Sequence, residues 1–319
     1  MKKFTVLIMG ASILLSACGL LTADLTSAEN FTPPASRPPS TATATGTFTA
    51  SPTLSASPIP TATWVQQGPE RVIVPIILYH RIDVSPINSQ YYVPPENFDR
   101  QMQLLRDWEY TTITTEMLAN AIRDGANLPP RPILITFDDG NLDNYTTAFP
   151  IMQKYGLTAV VYIVGNYLGT DGYMNAEQVR EMADSGWEVG SHGMSHADLT
   201  KLDSQALRHE VVDSRKTLEQ KIGVPVLTIA YPFGLSNGSV LDYTYFAGYI
   251  AGMGLGPTHN QTTRNLYTLQ RREIKGYYDL LAFSSYLPWQ GDAAFLPTFT
   301  PAPSSTPIRT PVQTSTKKP

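Results

Sequence analysis

Between residues 64 and 296 the chain alternates between two kinds of apolar pattern. Short apolar or β-branched stretches at Val72–Tyr79, Ile133–Phe137, Ala159–Val164, Trp187–Ser191 and Val226–Tyr231 predict strands. The segments between them space their apolar residues three and four apart, which predicts helices. These cover Glu96–Trp108, Thr115–Asp124, Asn144–Tyr155, Asn175–Ser185 and Asp203–Ile222. In the last of them Leu207, Val211, Leu218 and Ile222 share one face, and Gly223 stands where the helix should stop. Strands alternating with helices predict an α/β fold with a parallel sheet or barrel in one sizeable domain. In such folds chemistry gathers at the carboxyl ends of the strands.

The flanks break this pattern. Residues 19–63 and 297–319 are dominated by Thr, Ser, Pro and Ala, as in "TPPASRPPSTATATG". Such composition buries too little apolar surface to fold, so both flanks are expected to be disordered, the first acting as a tether. Residues 1–18 place Lys2 and Lys3 before an apolar run from Phe4 to Leu15. That run is too short to span a bilayer and reads as an export signal. It ends in Leu15-Ser16-Ala17-Cys18, which resembles the lipobox of bacterial lipoproteins, with Cys18 as the acylated residue. Cys18 is the single cysteine of the 319 residues, so no intrachain disulfide forms. The expected location is therefore extracytoplasmic, on a membrane through a lipid, and the expected state is a monomer.

Charge narrows the partners. The formal net charge is −4 and becomes −6 when Lys2 and Lys3 leave with the signal. An acidic chain lacks the basic footprint of nucleic-acid binding. A neutral polysaccharide fits better.

Two clusters follow predicted strands. "ILITFDDGN" (133–141) runs an apolar strand into the adjacent carboxylates Asp138 and Asp139. Neighbouring carboxylates repel and resist desolvation, so a cation, hydrogen bonds or water must compensate them. Alone, Asp138-Asp139-Gly140 better suits a strand-to-helix turn with a capping aspartate. The second cluster, "GSHGMSH" (190–196), carries His192 and His196 at i, i+4 just after Trp187–Ser191. If both clusters reach one rim, a carboxylate and two imidazoles form a three-ligand metal site with open positions, the pattern of catalysis. The other carboxylate is then free to act on a water.

"TFDDG" (136–140), "SHGMSH" (191–196) and "YPFG" (231–234) occur in that order. Together with "VPIILYHRI" (74–82) they resemble the polysaccharide deacetylases of carbohydrate esterase family 4, the NodB-homology domain, across nearly all of residues 70–275. The resemblance implies a distorted (β/α) barrel. It implies Asp138 as general base, and Asp139, His192 and His196 as ligands of a divalent metal, zinc first, with Ni2+, Co2+ or Fe2+ as alternatives. It implies the N–H of Phe233, beside Pro232, as oxyanion donor. The family's general acid is commonly a C-terminal Leu-x-His histidine, but no histidine follows His259. Leu78-Tyr79-His80 instead resembles the permuted members that act on poly-β-1,6-N-acetylglucosamine, which makes His80 the acid.

Three positions depart from the family. Ala230 stands where an arginine usually orients the base, and Arg271 in "YTLQRREI" (267–274), or Arg272, is the candidate replacement from a later strand. The Asp and Trp pair that tunes the acid is not visible, and Asn141 replaces a common aromatic. The implied reaction is removal of N-acetyl groups from N-acetylglucosamine units of a cell-envelope or extracellular polysaccharide. The alternatives are an O-acetyl esterase of xylan type and an inactive carbohydrate-binding lipoprotein.

Overall fold

Seven parallel strands close on themselves: β1 (Ile76–Tyr79), β2 (Pro132–Phe137), β3 (Val160–Ile163), β4 (Glu188–Ser191), β5 (Val226–Ala230), β6 (Ala251–Leu255) and β7 (Leu269–Glu273). Each pairs with the next in chain order, and β7 pairs back onto β1 through Arg272↔Ile77 and Glu273↔Leu78. The computed structural model describes residues 64–291. The expected signal, Cys18, the tether and the tail lie outside these residues.

Helices fill the connections: α1 (Pro95–Asp107) and α2 (Thr115–Asp124) before β2, α3 (Phe149–Tyr155) before β3, and α4 (Ala176–Asp184) before β4. Next come α5 (Ser204–Arg208) and α6 (Ser214–Ile222) before β5, α7 (Gly238–Phe246) before β6, and α8 (Leu280–Ser284) after β7. This is the distorted (β/α) barrel that the resemblance implies.

Side-chain alternation along the strands separates two cores. Ile77, Tyr79, Ile133, Ile135, Phe137, Val161, Ile163 and Ile229 pack outward under α1, α3, α4 and α6. Ile76, Leu134, Val160, Tyr162, Ala230, Met253 and Leu269 pack into the barrel with Leu118 and Ile122 of α2, which plugs its lower end. The upper end stays open to the loops after the strands.

Local order differs from the sequence expectation in four places. Val72–Tyr79 is two strands: Arg71–Ile73 pairs antiparallel with Asn260–Thr262, and β1 begins only after Pro75, which has no N–H to donate. The helices expected over Asn144–Tyr155 and Asp203–Ile222 each contain a wider π turn, at Asn144–Ala148 and His209–Asp213. Strand β6, "AGMGL", carries no strand signal because a Cβ on Gly252 would strike the Tyr231 hydroxyl and the Tyr267 carbonyl.

Gly190 of β4 shows how little room the interior has. It pairs with Tyr162 of β3, and a Cβ there would overlap the Tyr162 ring. Its backbone conformation is ordinary, so the demand is steric alone. Gly190→Ala is expected to lower unfolding free energy by about 1–3 kcal/mol, read from urea denaturation.

Candidate active site

Strand β2 delivers Asp138 into the barrel mouth, where its side chain is buried. Arg271, from β7 and equally buried, meets it with both arms of its guanidinium: Nη1 donates to Oδ1 at 2.6 Å and Nη2 to Oδ2 at 2.8 Å. Burial alone pushes the Asp138 carboxyl up. The Arg271 charge, His192, the Arg271 hydrogen bonds and His80 together overcome it and hold the carboxyl down at about 2. Arg271 is itself seated over the Tyr162 ring, with its carbon Cζ 5.4 Å from the centroid, and donates from Nε to the Gly254 carbonyl at 3.2 Å. Arg272 points elsewhere and lies over Tyr286. Closure of β7 onto β1 thus brings an arginine to Asp138 although Ala230 leaves the usual place vacant.

The next residue, Asp139, turns back with φ 75°. Its Oδ1 lies 3.7 Å from His192 Nε2 and 3.5 Å from His196 Nε2. His192 Nδ1 is 2.7 Å from the Ala230 carbonyl. That contact requires the proton on Nδ1 and leaves Nε2 with its lone pair facing Asp139. Ligands about 2.1 Å from a tetrahedral ion lie about 3.4 Å apart, close to these separations. The three donor atoms therefore fit a divalent cation. His192 Nε2 is also 3.7 Å from Asp138 Oδ2, so the second carboxylate stands beside this set.

His80, just beyond β1, lines the same cleft, and its Nδ1 is 3.7 Å from Glu273 Oε1. That nitrogen is buried and has no hydrogen-bond partner, which leaves Glu273 as the group it faces. Glu273 also pairs with Lys275, and the Lys275 ammonium lies over Tyr91. The main chain at His80 is tied to the loop after β2: Asn141 and Asn144 both donate from Nδ2 to its carbonyl, at 3.1 and 2.9 Å. Asp143 accepts from the Ile82 N–H at 2.8 Å and from Arg81 at 3.1 Å. Asn141 thus holds the chain beneath His80 and does not line the cleft.

The cleft encloses about 440 Å³. Phe233 forms part of its wall, exposed, with its ring 4.7 Å from that of His196. Its backbone is left-handed, φ 60°, at the second position of a one-turn 3₁₀ helix that begins with Pro232, so its N–H is the one that has no intrahelical acceptor. Pro232 is buried behind it and does not line the cleft. Tyr91 and Tyr92 reach the cleft, whereas Trp187 packs in the outer core against Phe137 and Phe149. His209 pairs with Asp213 on the surface, and Trp289 packs on Tyr110. Glu273 escaped the sequence reading, although its spacing of two from Arg271 on one strand places both on one face.

Residues 125–252 match the family model described as polysaccharide deacetylase. YxkH of Bacillus subtilis, a polysaccharide deacetylase by name, is 29% identical over 228 residues, covering 71% of this chain and 80% of that protein. The poly-β-1,6-N-acetyl-D-glucosamine N-deacetylase of Staphylococcus aureus is 26% identical over 197 residues, 57% of this chain and 68% of the other. The crystal structure of BC0361, a polysaccharide deacetylase from Bacillus cereus, superposes with a TM-score of 0.61 at 30% identity, covering 68% of this chain and 69% of that one. With that degree of identity, that coverage and a shared barrel, the chain belongs to the polysaccharide deacetylase family.

Proposed function

We propose that the protein is a metal-dependent N-deacetylase acting on N-acetylglucosamine units of a polysaccharide outside the cytoplasm. The observation that carries this reading is the joint placement of three chemistries in one cleft. Asp138 is kept ionised by Arg271, a cation-sized donor set stands beside it, and His80 forms a separate flank. A protein that only binds glycan needs no buried carboxylate locked to an arginine next to a metal set. The N-deacetylase name of the Staphylococcus relative favours amide over ester and a β-1,6-linked polymer. Export and lipid attachment at Cys18 rest on the sequence and complete the proposal.

A cation held by Asp139, His192 and His196, with zinc suited to this N,O set, would polarise the acetyl carbonyl and bring the pKa of a water toward about 7. The Asp138 carboxylate accepts the proton of the attacking water. Arg271 keeps it in the ionised form that can accept that proton. The Phe233 N–H donates to the developing oxyanion. His80, its Nδ1 facing Glu273, presents Nε2 and protonates the sugar nitrogen as the C–N bond breaks, releasing acetate and a free amine.

Purified protein is expected to release amine from β-1,6-linked N-acetylglucosamine oligomers, and to stop when chelator is added. Asp138→Asn should lower kcat by about 10²–10⁴ while metal still binds. Cleavage of acetylated xylan alone would replace the deacetylase reading with an esterase, and inactivity on both with glycan retained would replace it with a binding protein. His80→Asn should slow amide cleavage by about 10²–10⁴ but spare an aryl acetate, whose leaving group needs no proton. Equal losses on both would remove the acid role.

Arg271→Met tests the Asp138 partnership through pH. In the wild type the ionised Asp138 favours the fold above its ordinary value of 3.8, and that contribution is lost as pH falls toward about 2. Without Arg271, burial is no longer overcome by the guanidinium and the carboxyl rises. The acid limb of kcat/KM should move to higher pH, and unfolding free energy should drop by about 3–5 kcal/mol.

A further inference from the structure

The reaction leaves one buried carboxylate without a task. Glu210 is 5% exposed and forms no ion pair among the described residues. It sits in the π turn His209–Asp213, between α5 and α6, which brings Glu210, Val211 and Ser214 together on the buried side. Single π turns inside helices recur at functional sites. Here the turn aims the carboxylate at the loop between the two histidines. Glu210 Oε2 accepts from the Met194 N–H at 2.7 Å and the Ser195 N–H at 3.0 Å, and Oε1 accepts from Ser195 Oγ at 2.5 Å.

The rest of the loop is held as tightly. The Gly193 N–H donates to Ser191 Oγ at 3.2 Å, and that hydroxyl lies 2.9 Å from Ser214 Oγ, on the same helical segment as Glu210. Carbonyls of Gly193 and Met194 accept from the Gly165 and Asn166 N–H groups at 3.0 and 2.8 Å. Gly193 has φ +79°, and a Cβ there would sit 2.8 Å from Glu210 Oε2, so the loop closes directly on the carboxylate. His196 follows with φ 62°, a conformation that a non-glycine residue keeps only when its surroundings enforce it.

We propose that Glu210 is the positioning residue of the metal set. Its carboxylate gathers the amides of residues 194 and 195 and thereby holds His196 in the left-handed turn that keeps Nε2 beside Asp139 and His192. It touches neither substrate nor cation. This inference rests on the metal-binding reading above and adds to it the residue that builds the site. Losses of this kind cost about 10–100-fold in metal affinity. Geometry, not charge, is the active property. A glutamine can accept both amide N–H groups on its carbonyl oxygen and donate its NH2 to Ser195 Oγ.

The test measures Co2+ affinity of the full chain by competition with a chromophoric chelator, together with the d–d spectrum and the melting temperature of the metal-free protein. Glu210→Ala is expected to bind Co2+ at least about tenfold more weakly, with an altered spectrum, while Glu210→Gln restores both toward wild type. If Glu210→Ala does not fold, Glu210→Asp, which retracts the carboxylate by one methylene, carries the same expectation. Wild-type affinity and spectrum in Glu210→Ala or Glu210→Asp would overturn the proposal, and so would a glutamine variant as impaired as the alanine. A wild-type chain that binds no divalent ion would instead overturn the metal reading itself.

Discussion

A carboxylate and a guanidinium buried face to face in the mouth of the barrel set the terms for their surroundings. Moving two charges out of water is costly, and apolar residues of similar volume are often as stable or more so. The Asp138–Arg271 pair is therefore a poor choice for stability alone. Its presence constrains the interior: Tyr162 must lie beneath the guanidinium, Gly190 must leave room for Tyr162, and the Gly254 carbonyl must face Arg271 Nε. It also requires β7, β1 and β2 to stay adjacent, since the two partners come from strands separated by 133 positions in the chain. What this arrangement secures is a carboxylate that is ionised while dry.

Backbone strain gathers around the same mouth. Of the non-glycine residues with left-handed φ, Asp139, His196 and Phe233 are all site residues, each beside or near a glycine that is itself left-handed. Such conformations cost of order 1–3 kcal/mol each and persist where neighbours over-determine them. Those neighbours are visible: the Asp138 N–H on the Tyr79 carbonyl, Glu210 on the histidine loop, and the Gly234 N–H on the Tyr231 carbonyl. The three turns set Asp139, His196 and Phe233 along one cleft. This is preorganisation in the sense that matters for catalysis, because no reorganisation is then required at the reaction.

The opposite flank uses softer means. His80 is placed by its carbonyl, which the paired amides of Asn141 and Asn144 hold, while its ring rests near Tyr91 and Glu273. Lys275 joins Glu273 to Tyr91. One flank of the cleft is thus built from side-chain contacts and the other from left-handed main chain.

The alternation of apolar strands and amphipathic helices was enough to predict an α/β fold on a parallel sheet or barrel, because burial on both faces leaves a continuous apolar run that needs no tertiary knowledge to read; the choice of barrel came with the family resemblance. Asp138, Asp139, His192 and His196 were legible for a related reason: each follows a strand end, and strand ends of parallel sheets share a rim. Strand β6 was not legible, since close packing on Gly252 strips it of the side chains that mark a strand. The role of Arg271 was open between two neighbouring arginines until strand pleating turned one inward and the other onto Tyr286. Asn144 and Glu210 carry no local signal, and Glu273 shows only its spacing of two from Arg271, because what these residues do depends on partners on other strands and loops. The sequence by itself determined the fold class and the atoms available for chemistry, through periodicity and residue type. Only the tertiary structure decided which charges meet and which carboxylate stays ionised, because barrel closure and two π turns bring together residues that the chain keeps far apart.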